Sequence, residues 1–354
     1  MADQLKKYRD QIDRIDGELL SLFNERAKLA QQIGHAKGNG AVLRPEREAQ
    51  VLRRMQEANP GPLSNEAVAQ LYTEIMSQCR ALEAPLRVAY LGPEGSFSEA
   101  AMHKRFGQAA VCMPCDSFDD VFRSVESGSA DYGVVPVENS SEGMIGHNLD
   151  MLLQTPAKVC GEVMLQVHQC LMSHQADKTK LKRVYSHPQS LGQCRNWLNA
   201  NLPGAERITV SSNSEAARLA AGEKESAAVA GRTAAERYSI PVLVENIEDD
   251  PRNTTRFLVI GSHDVAQSGK DKTSLVMATA NRPGAVHDLL TPLAQNGVSM
   301  TKLESRPARS GLWEYVFFVD IEGHQKDERV AAALQGLHKA AAFVKVLGSY
   351  PAAL

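Results

Sequence analysis

The sequence predicts a multidomain chain of three fold classes: an all-α helical unit over residues 1–85, a two-lobed α/β unit over 86–263 and an α+β unit over 272–350. Three observations predict it. Apolar residues recur in steps of three and four almost without a break to about residue 85. From Leu86 to about Gly261, short apolar runs lead one after another into helical stretches. From about 273 the order is strand, helix, strand, strand, helix, strand.

Composition narrows the partners. The 354 residues are 43% hydrophobic, enough for several cores. Lys+Arg number 39 against 42 Asp+Glu, a net charge of -3, which argues against nucleic-acid and membrane partners. The N-terminus MADQLKKYRDQIDRID is charged throughout, and no run of about 18 apolar residues follows, so a cytoplasmic protein is expected. Cysteines 79, 112, 115, 160, 170 and 194 sit among hydrophobic neighbours, as reduced thiols do. Cys112 and Cys115 form one CxxC with no second pair at zinc-finger spacing, so no metal is expected. The chain has neither GK[ST] nor GxGxxG, which argues against nucleotide cofactors, and no other cofactor is predicted.

In the first unit, helices are predicted over about 4–37, 46–59 and 65–83, separated by GNGAVLRP and a Pro-Gly-Pro turn. The first would be about 50 Å long at 1.5 Å per residue, too long to bury its seam within so short a unit, so a dimer or intertwined bundle is expected. That seam runs Leu5, Tyr8, Ile12, Ile15, Leu19, Leu22, Leu29, Ile33, and Arg26 interrupts it. Arg26 and Lys37 are eleven positions apart and so about 20° from each other on the wheel. Two cations on a row meant for burial need an anion, either Glu48 of the next helix or a bound dianion.

These residues resemble the all-helical chorismate mutase family: Arg9 in YRDQIDRID, Arg26 in ERAKLAQQIGHAK, Lys37 at its end, Arg47-Glu48 in RPEREAQVL and Glu83 in CRALE. The resemblance implies an intertwined dimer in which Arg9 of the neighbouring copy, Arg26 and Arg47 clamp the carboxylates of chorismate. Lys37 would donate to the breaking ether oxygen and Glu48 would hold the ring hydroxyl. Arg44 and Cys79 join the substrate-binding set. Glu83 stands where other members carry a glutamine that donates to the ether oxygen; a carboxylate only accepts, so Glu83 must carry a proton to take that role. The implied reaction is a pericyclic rearrangement to prephenate.

In the second unit, LRVAYL leads into GPEGSFSEAAMHKRF, DYGVVPV into ENSSEGMIGHNLDML, KRVYS into HPQSLGQCRNWL, ITV into SSNSEAARLAA, and SAAVAG into RTAAERYS. Polar and small residues thus follow strand ends, where open sheets bind ligands. VCGEVMLQVHQCLMS and RFLVIG are expected to cross between two lobes. Four segments in this order resemble prephenate dehydratase: GPEGSFSEAA, VPVENSSEG, SHPQSLGQC and NTTRF. The resemblance implies two α/β lobes, similar to periplasmic solute-binding proteins, with prephenate in the cleft. By motif position Thr255 is the donor to the departing hydroxyl. Arg256 either anchors the side-chain carboxylate or pairs with Asp249 or Asp250. Ser96, Glu138, Asn139, Ser140, Ser186 and Gln189 are further candidates.

The polar GSHDVAQSGKDK is expected to link to the third unit, whose strand and helix order describes a ferredoxin-like sandwich. NRPGAVHDLL and TKLESRP resemble the ACT domain attached to prephenate dehydratases. The resemblance implies that phenylalanine binds at Gly284, Ala285, Val286, Glu304, Ser305 and Arg306, between two copies, and inhibits the dehydratase; His287 is the odd member of the first motif. The expected protein is a bifunctional enzyme taking chorismate through prephenate to phenylpyruvate, as a homodimer or dimer of dimers. The alternative is an amino-acid-sensing binding protein with a helical dimerisation unit. A mutase joined to a prephenate dehydrogenase would need a nicotinamide fingerprint, which is missing.

Overall fold

A computed structural model describes residues 2–37, 42–141, 143–279, 282–307 and 315–353. The first unit is three helices, α1 (Ala2–Lys37), α2 (Pro45–Glu57) and α3 (Asn65–Ala81). Pro45 opens α2, where its missing N–H costs nothing, and Ser64 caps α3 by accepting from Ala67 N. Only the last third of α1 lies against α3, with Gly34 buried; from residue 2 to 25 the helix is exposed on every side. Leu5, Tyr8, Ile12 and Leu22 are each more than half exposed.

The first lobe contains β1 (Arg87–Leu91), α4 (Phe97–Phe106), β2 (Val111–Cys115), α5 (Phe118–Glu126), β3 (Tyr132–Asn139), β4 (Gly143–Met144), α6 (Gly146–Gln154) and β5 (Lys158–Gln166). The chain crosses at 167–169 into β6 (Cys170–Met172), β7 (Arg183–Ser186), α7 (Pro188–Gln193), α8 (Arg195–Asn201), β8 (Glu206–Thr209), α9 (Asn213–Gly222), β9 (Ser226–Ala230), α10 (Arg232–Arg237) and β10 (Val242–Val244). It returns through β11 (Thr254–Gly261), which inserts antiparallel between β3 and β5. Sheet orders are β2-β1-β3-β11-β5, with β4 on β3, and β10-β6-β9-β7-β8. The expected two lobes and their crossing segments are therefore present. At the crossing, Val167 N bonds Asn253 O and Ile247 N bonds Gln169 O.

The third unit is β12 (Asp271–Ala278), α11 (Ala285–Gln295), β13 (Met300–Pro307), β14 (Tyr315–Glu322), α12 (Glu328–Ala340) and β15 (Phe343–Pro351). Its sheet order, β13-β14-β12-β15, is that of a ferredoxin-like sandwich. One face of the sheet is covered by α11 and α12. The other shares a core with the first lobe, where Val276, Phe318, Leu347 and Tyr350 meet Phe122, Leu152, Leu258 and Ile260. The segment before β12 is no free tether: Arg53 of α2 donates to the Ser268 and Lys270 carbonyls and to Ser268 Oγ.

Candidate active sites

The helical site gathers at the C-terminal end of α1. Glu83, just past α3, lays its side chain across Gly34: a methyl group there would stand 2.6 Å from Glu83 Cγ and 2.8 Å from Cδ. Arg26 is half-buried two turns earlier on α1, and Cys79 is buried one turn before Glu83 on α3. Arg44 is the N-cap residue of α2, its carbonyl accepting from Arg47 N and Glu48 N, and the Arg44 and Arg47 side chains are exposed. Among the described residues no hydrogen bond or ion pair occupies the guanidinium of Arg9, Arg26, Arg44 or Arg47. Lys37 ends α1, and its side chain lies outside the described residues. Arg9 is 17 positions before Arg26 on one helix, about 26 Å away along the axis, so the same chain does not bring the two together.

Glu48 is a correction. It is not the counterion of Arg26: its Oε1 accepts from Arg80 and its Oε2 from Arg105 Nη1 at 2.9 Å, and Arg105 belongs to α4 of the first lobe. Arg80, only 8% exposed, also donates to Phe106 O. The seam reading paired groups within the bundle and so missed a carboxylate held from the next unit. Arg80 stands in the CRALE stretch, where a charged residue on the buried face of α3 was the available signal.

The second site lies where the carboxyl ends of β1 and β3 meet the start of β11, the place an open sheet offers a ligand. Thr255 pairs with Asn139 in register. Asn139 Nδ2 donates to Thr255 Oγ1 and to Asn253 Oδ1, both at 2.9 Å, while its Oδ1 accepts from Ser141 N at 3.0 Å, which fixes the amide orientation. All three side chains are buried, Asn253 at 1% exposure, and Asn253 Nδ2 has no partner among the described residues. Asn253 was overlooked as a candidate although it opens the NTTRF motif.

Other candidates are tied down locally. Ser96 caps α4 by accepting from Glu99 N and donates to Leu91 O. Ser140 accepts from Thr254 N. In the second lobe, Ser186 is fully buried, donating to Val229 O at 2.6 Å and Asn213 Oδ1 at 3.1 Å, while Gln189 is exposed on α7. The lobes touch beside this site: Ser214 Oγ donates to Glu94 O, and Gly95, at φ +84, packs on Ala234 so closely that a side chain would collide. Both the space and the backbone conformation there demand glycine.

Arg256 is the second correction. It neither faces the cleft with Thr255 nor pairs with Asp249 or Asp250. It is 7% exposed and points to the third unit, donating to Glu162 Oε2 (2.9 Å), Asp320 Oδ2 (2.5 Å) and the Tyr350 hydroxyl (3.0 Å). Burial opposes its charge, but Tyr350, Asp320 and Glu162 outweigh burial and hold it charged above an arginine's ordinary range. Burial and then Asp320 push the Tyr350 phenol up, so it stays neutral. Glu138 is likewise engaged by the third unit, accepting from Lys302 Nζ at 2.6 Å.

The effector candidates sit at two ends of the third unit. Gly284 is the left-handed N-cap residue of α11, Ala285 is buried, and Val286 is 39% exposed. On β13, Lys302, Glu304 and Arg306 alternate with exposed Leu303 and Ser305. Arg306 Nε lies 3.3 Å from Asp150 Oδ1 of α6. β13 is the sheet edge, where Met300 and Leu303 are exposed at 38% and 39%. Among the described residues no helix is long and apolar enough to cross a membrane.

Family models match the chain in three consecutive stretches: chorismate mutase type II over residues 8–84, prephenate dehydratase over 88–265 and ACT domain over 273–339. The bifunctional chorismate mutase/prephenate dehydratase of Neisseria gonorrhoeae is 54% identical over 350 residues, covering 98% of this chain and 97% of that protein. Among solved structures, the prephenate dehydratase of Arthrobacter aurescens in complex with L-Phe superposes with a TM-score of 0.69 at 32% identity, over 75% of this chain and 90% of that one. GqqA, described as a novel type of quorum-quenching acylase, reaches the same TM-score at 28% identity over 75% of this chain and 100% of its own. Shape alone thus does not choose a chemistry. Agreement along the whole length and in all three units does, and by it the chain belongs to the family of bifunctional chorismate mutase/prephenate dehydratases.

Proposed function

We propose that the helical unit rearranges chorismate to prephenate, that the cleft between the lobes dehydrates and decarboxylates prephenate to phenylpyruvate on the route to phenylalanine, and that phenylalanine restrains the second step through the third unit. The observation that carries the dehydratase reading is the Asn139 amide donating to Thr255 Oγ1. With that lone pair occupied, the threonine O–H is left to donate, and the bond from Asn139 polarises it toward the departing ring hydroxyl. An aliphatic hydroxyl is too weak an acid to act alone, so Thr255 hydrogen-bonds or relays the proton as the leaving group departs with carbon dioxide. The orphaned Asn253 Nδ2 is a second donor for the same ligand.

In the helical site the reaction needs neither nucleophile nor cofactor. Arg26, Arg47 and Arg9 of a second copy would hold the two carboxylates in a compact conformer, and Lys37 and protonated Glu83 would donate where charge develops on the ether oxygen. A second copy is favoured by the exposed apolar row of α1, since burying each large side chain stabilises by about 1.5–3 kcal/mol. A homodimer or a dimer of dimers would bring Arg9 of one copy to Arg26 of the other. For regulation, phenylalanine at Gly284–Val286 and Glu304–Arg306 would act on β13 and β14, whose Lys302 and Asp320 hold Glu138 and Arg256, one residue from Asn139 and Thr255.

The test is to supply chorismate and follow prephenate and phenylpyruvate separately. Both should appear in succession, and Thr255→Ala should stop phenylpyruvate while sparing prephenate. Equal loss of both would sink the division of labour. A bare amino-acid sensor would leave chorismate untouched.

A further inference from the structure

The CxxC of β2 is not a pair. Three apart on a strand, its cysteines face opposite sides: Cys115 Sγ lies 3.9 Å from Ser124 Oγ, whereas Cys112 Sγ lies 3.8 Å from His103 Nε2 on α4. His103 stands one helical turn after Glu99, and its Nε2 is 3.9 Å from Glu99 Oε1. The three donor atoms all lie within 4.8 Å of one another. A tetrahedral zinc-type ion with bonds of about 2.0–2.3 Å spaces its ligand atoms roughly 3.3–3.6 Å apart, so closing this set needs movements of only a few tenths of an ångström for the two pairs that include His103.

The remaining valences of the three groups are already directed. Glu99 Oε2 accepts from Gly95 N, leaving Oε1 for the cluster. His103 Nδ1 lies 3.3 Å from Gly107 O, an acceptor that places the ring proton on Nδ1 and turns the Nε2 lone pair inward, the usual support for a ligating imidazole. An independent group points to the same place. The Tyr90 side chain is fully buried, and its hydroxyl lies beside the same groups, with Glu99, Cys112 and Glu94 around it. Glu99 and His103 also line a cleft of about 520 Å³ between α3, α4 and α10, which gives an ion a way in.

We propose that Glu99 Oε1, His103 Nε2 and Cys112 Sγ bind one divalent cation of the zinc class, with the fourth position toward the Tyr90 hydroxyl. On binding, the metal–sulfur bond forms as the thiol S–H bond breaks, and one proton goes to solvent; the carboxylate and thiolate then balance the two positive charges. Because binding releases the thiol proton, affinity for the metal rises with pH. The site ties β2 to α4 and, through Glu99 and Gly95, steadies the GPEGSFS loop without touching Thr255.

The test uses the full-length, metal-stripped protein and Co²⁺ as probe. One equivalent should bind with a thiolate-to-cobalt band in the near-ultraviolet, be displaced by Zn²⁺ and slow alkylation of Cys112 in the unaltered chain. Cys112→Ser should lose the band, and His103→Ala should weaken binding at least about tenfold. Absence of the band in the unaltered chain, a band of equal strength in Cys112→Ser, or alkylation of Cys112 at the same rate with and without metal would overturn the proposal and leave a hydrogen-bonded trio.

Discussion

Replacing Asp320 by Asn changes almost nothing in shape and removes one charge from a closed set. Arg256 and Lys272 face Glu162 and Asp320: Glu162 receives Arg256 Nε and Lys272 Nζ at 2.9 and 2.8 Å, and Asp320 receives Arg256 Nη1 and Ser274 Oγ, both at 2.5 Å. The four charges sum to zero, and the side chains of Arg256, Glu162 and Asp320 are 9% exposed or less. Breaking a buried pair from one side costs about 3–5 kcal/mol because the other charge is left behind. Asp320→Asn and Arg256→Met should therefore each lower stability by that amount. The double variant leaves Lys272 on Glu162 and Tyr350 on Ser274, again neutral, so its loss should fall short of the sum by about 2–3 kcal/mol. Urea unfolding of lobe 1 with its docked sheet, which share one core, reads the cycle. Phenylalanine inhibition should weaken in both single variants while prephenate formation holds. Losses that add to within about 0.5 kcal/mol would refute the coupling.

Three further outcomes follow from the sites. Gly34→Ala removes a helix-interior glycine, a gain of about 1 kcal/mol in propensity, yet drives a methyl into Glu83; prephenate formation should drop about tenfold or more from misplacement of the donor, with phenylpyruvate formation from added prephenate unchanged. Glu83→Gln should retain prephenate formation, since the amide N–H donates where the acid O–H does, whereas Glu83→Ala should lose it about tenfold or more; equal loss in both would remove Glu83 from the ether oxygen. Asn139→Ala should lower dehydratase kcat by about 10²-fold with little change in KM, as expected for a group that acts through Thr255; a pure KM effect would make Asn139 a ground-state contact instead.

The helices, strands and lobe crossings were legible because each is written locally, as a periodicity or an apolar run ended by glycine, proline or a cap. Thr255 is singled out by its motif, and the sheet register sets it beside Asn139. What escaped were partners from distant stretches. Arg256 seemed close to Asp249 and Asp250 along the chain, yet Asp249 receives Asn196 N and Trp197 N, and Asp250 receives Arg252 N. In the sheet Arg256 instead stands beside β5 and below β14, a neighbourhood set by strand order, which no local pattern encodes. Glu48 escaped in the same way, through Arg105. The apparent linker was polar in composition, and only the fold reveals that Arg53 needs its carbonyls.

These contacts also decide how the regulatory reading has to be tested. Deleting residues 270–354 would uncover Phe122, Leu258 and Ile260, leave Arg256 without Asp320 and Tyr350, and take the Lys270 carbonyl from Arg53. Loss of inhibition in that fragment would follow from damage to the first lobe as readily as from loss of the effector site. Arg306→Met avoids this, because Arg306 touches lobe 1 at Asp150 on the rim and not in the shared core. Its expected outcome is a dehydratase rate within about twofold of the unaltered enzyme, with phenylalanine affinity reduced about tenfold, roughly 1.4 kcal/mol, as loss of one charged contact to the effector predicts. Calorimetric titration with phenylalanine measures it. Unchanged affinity together with weakened inhibition would move Arg306 from holding the effector to passing its signal to α6.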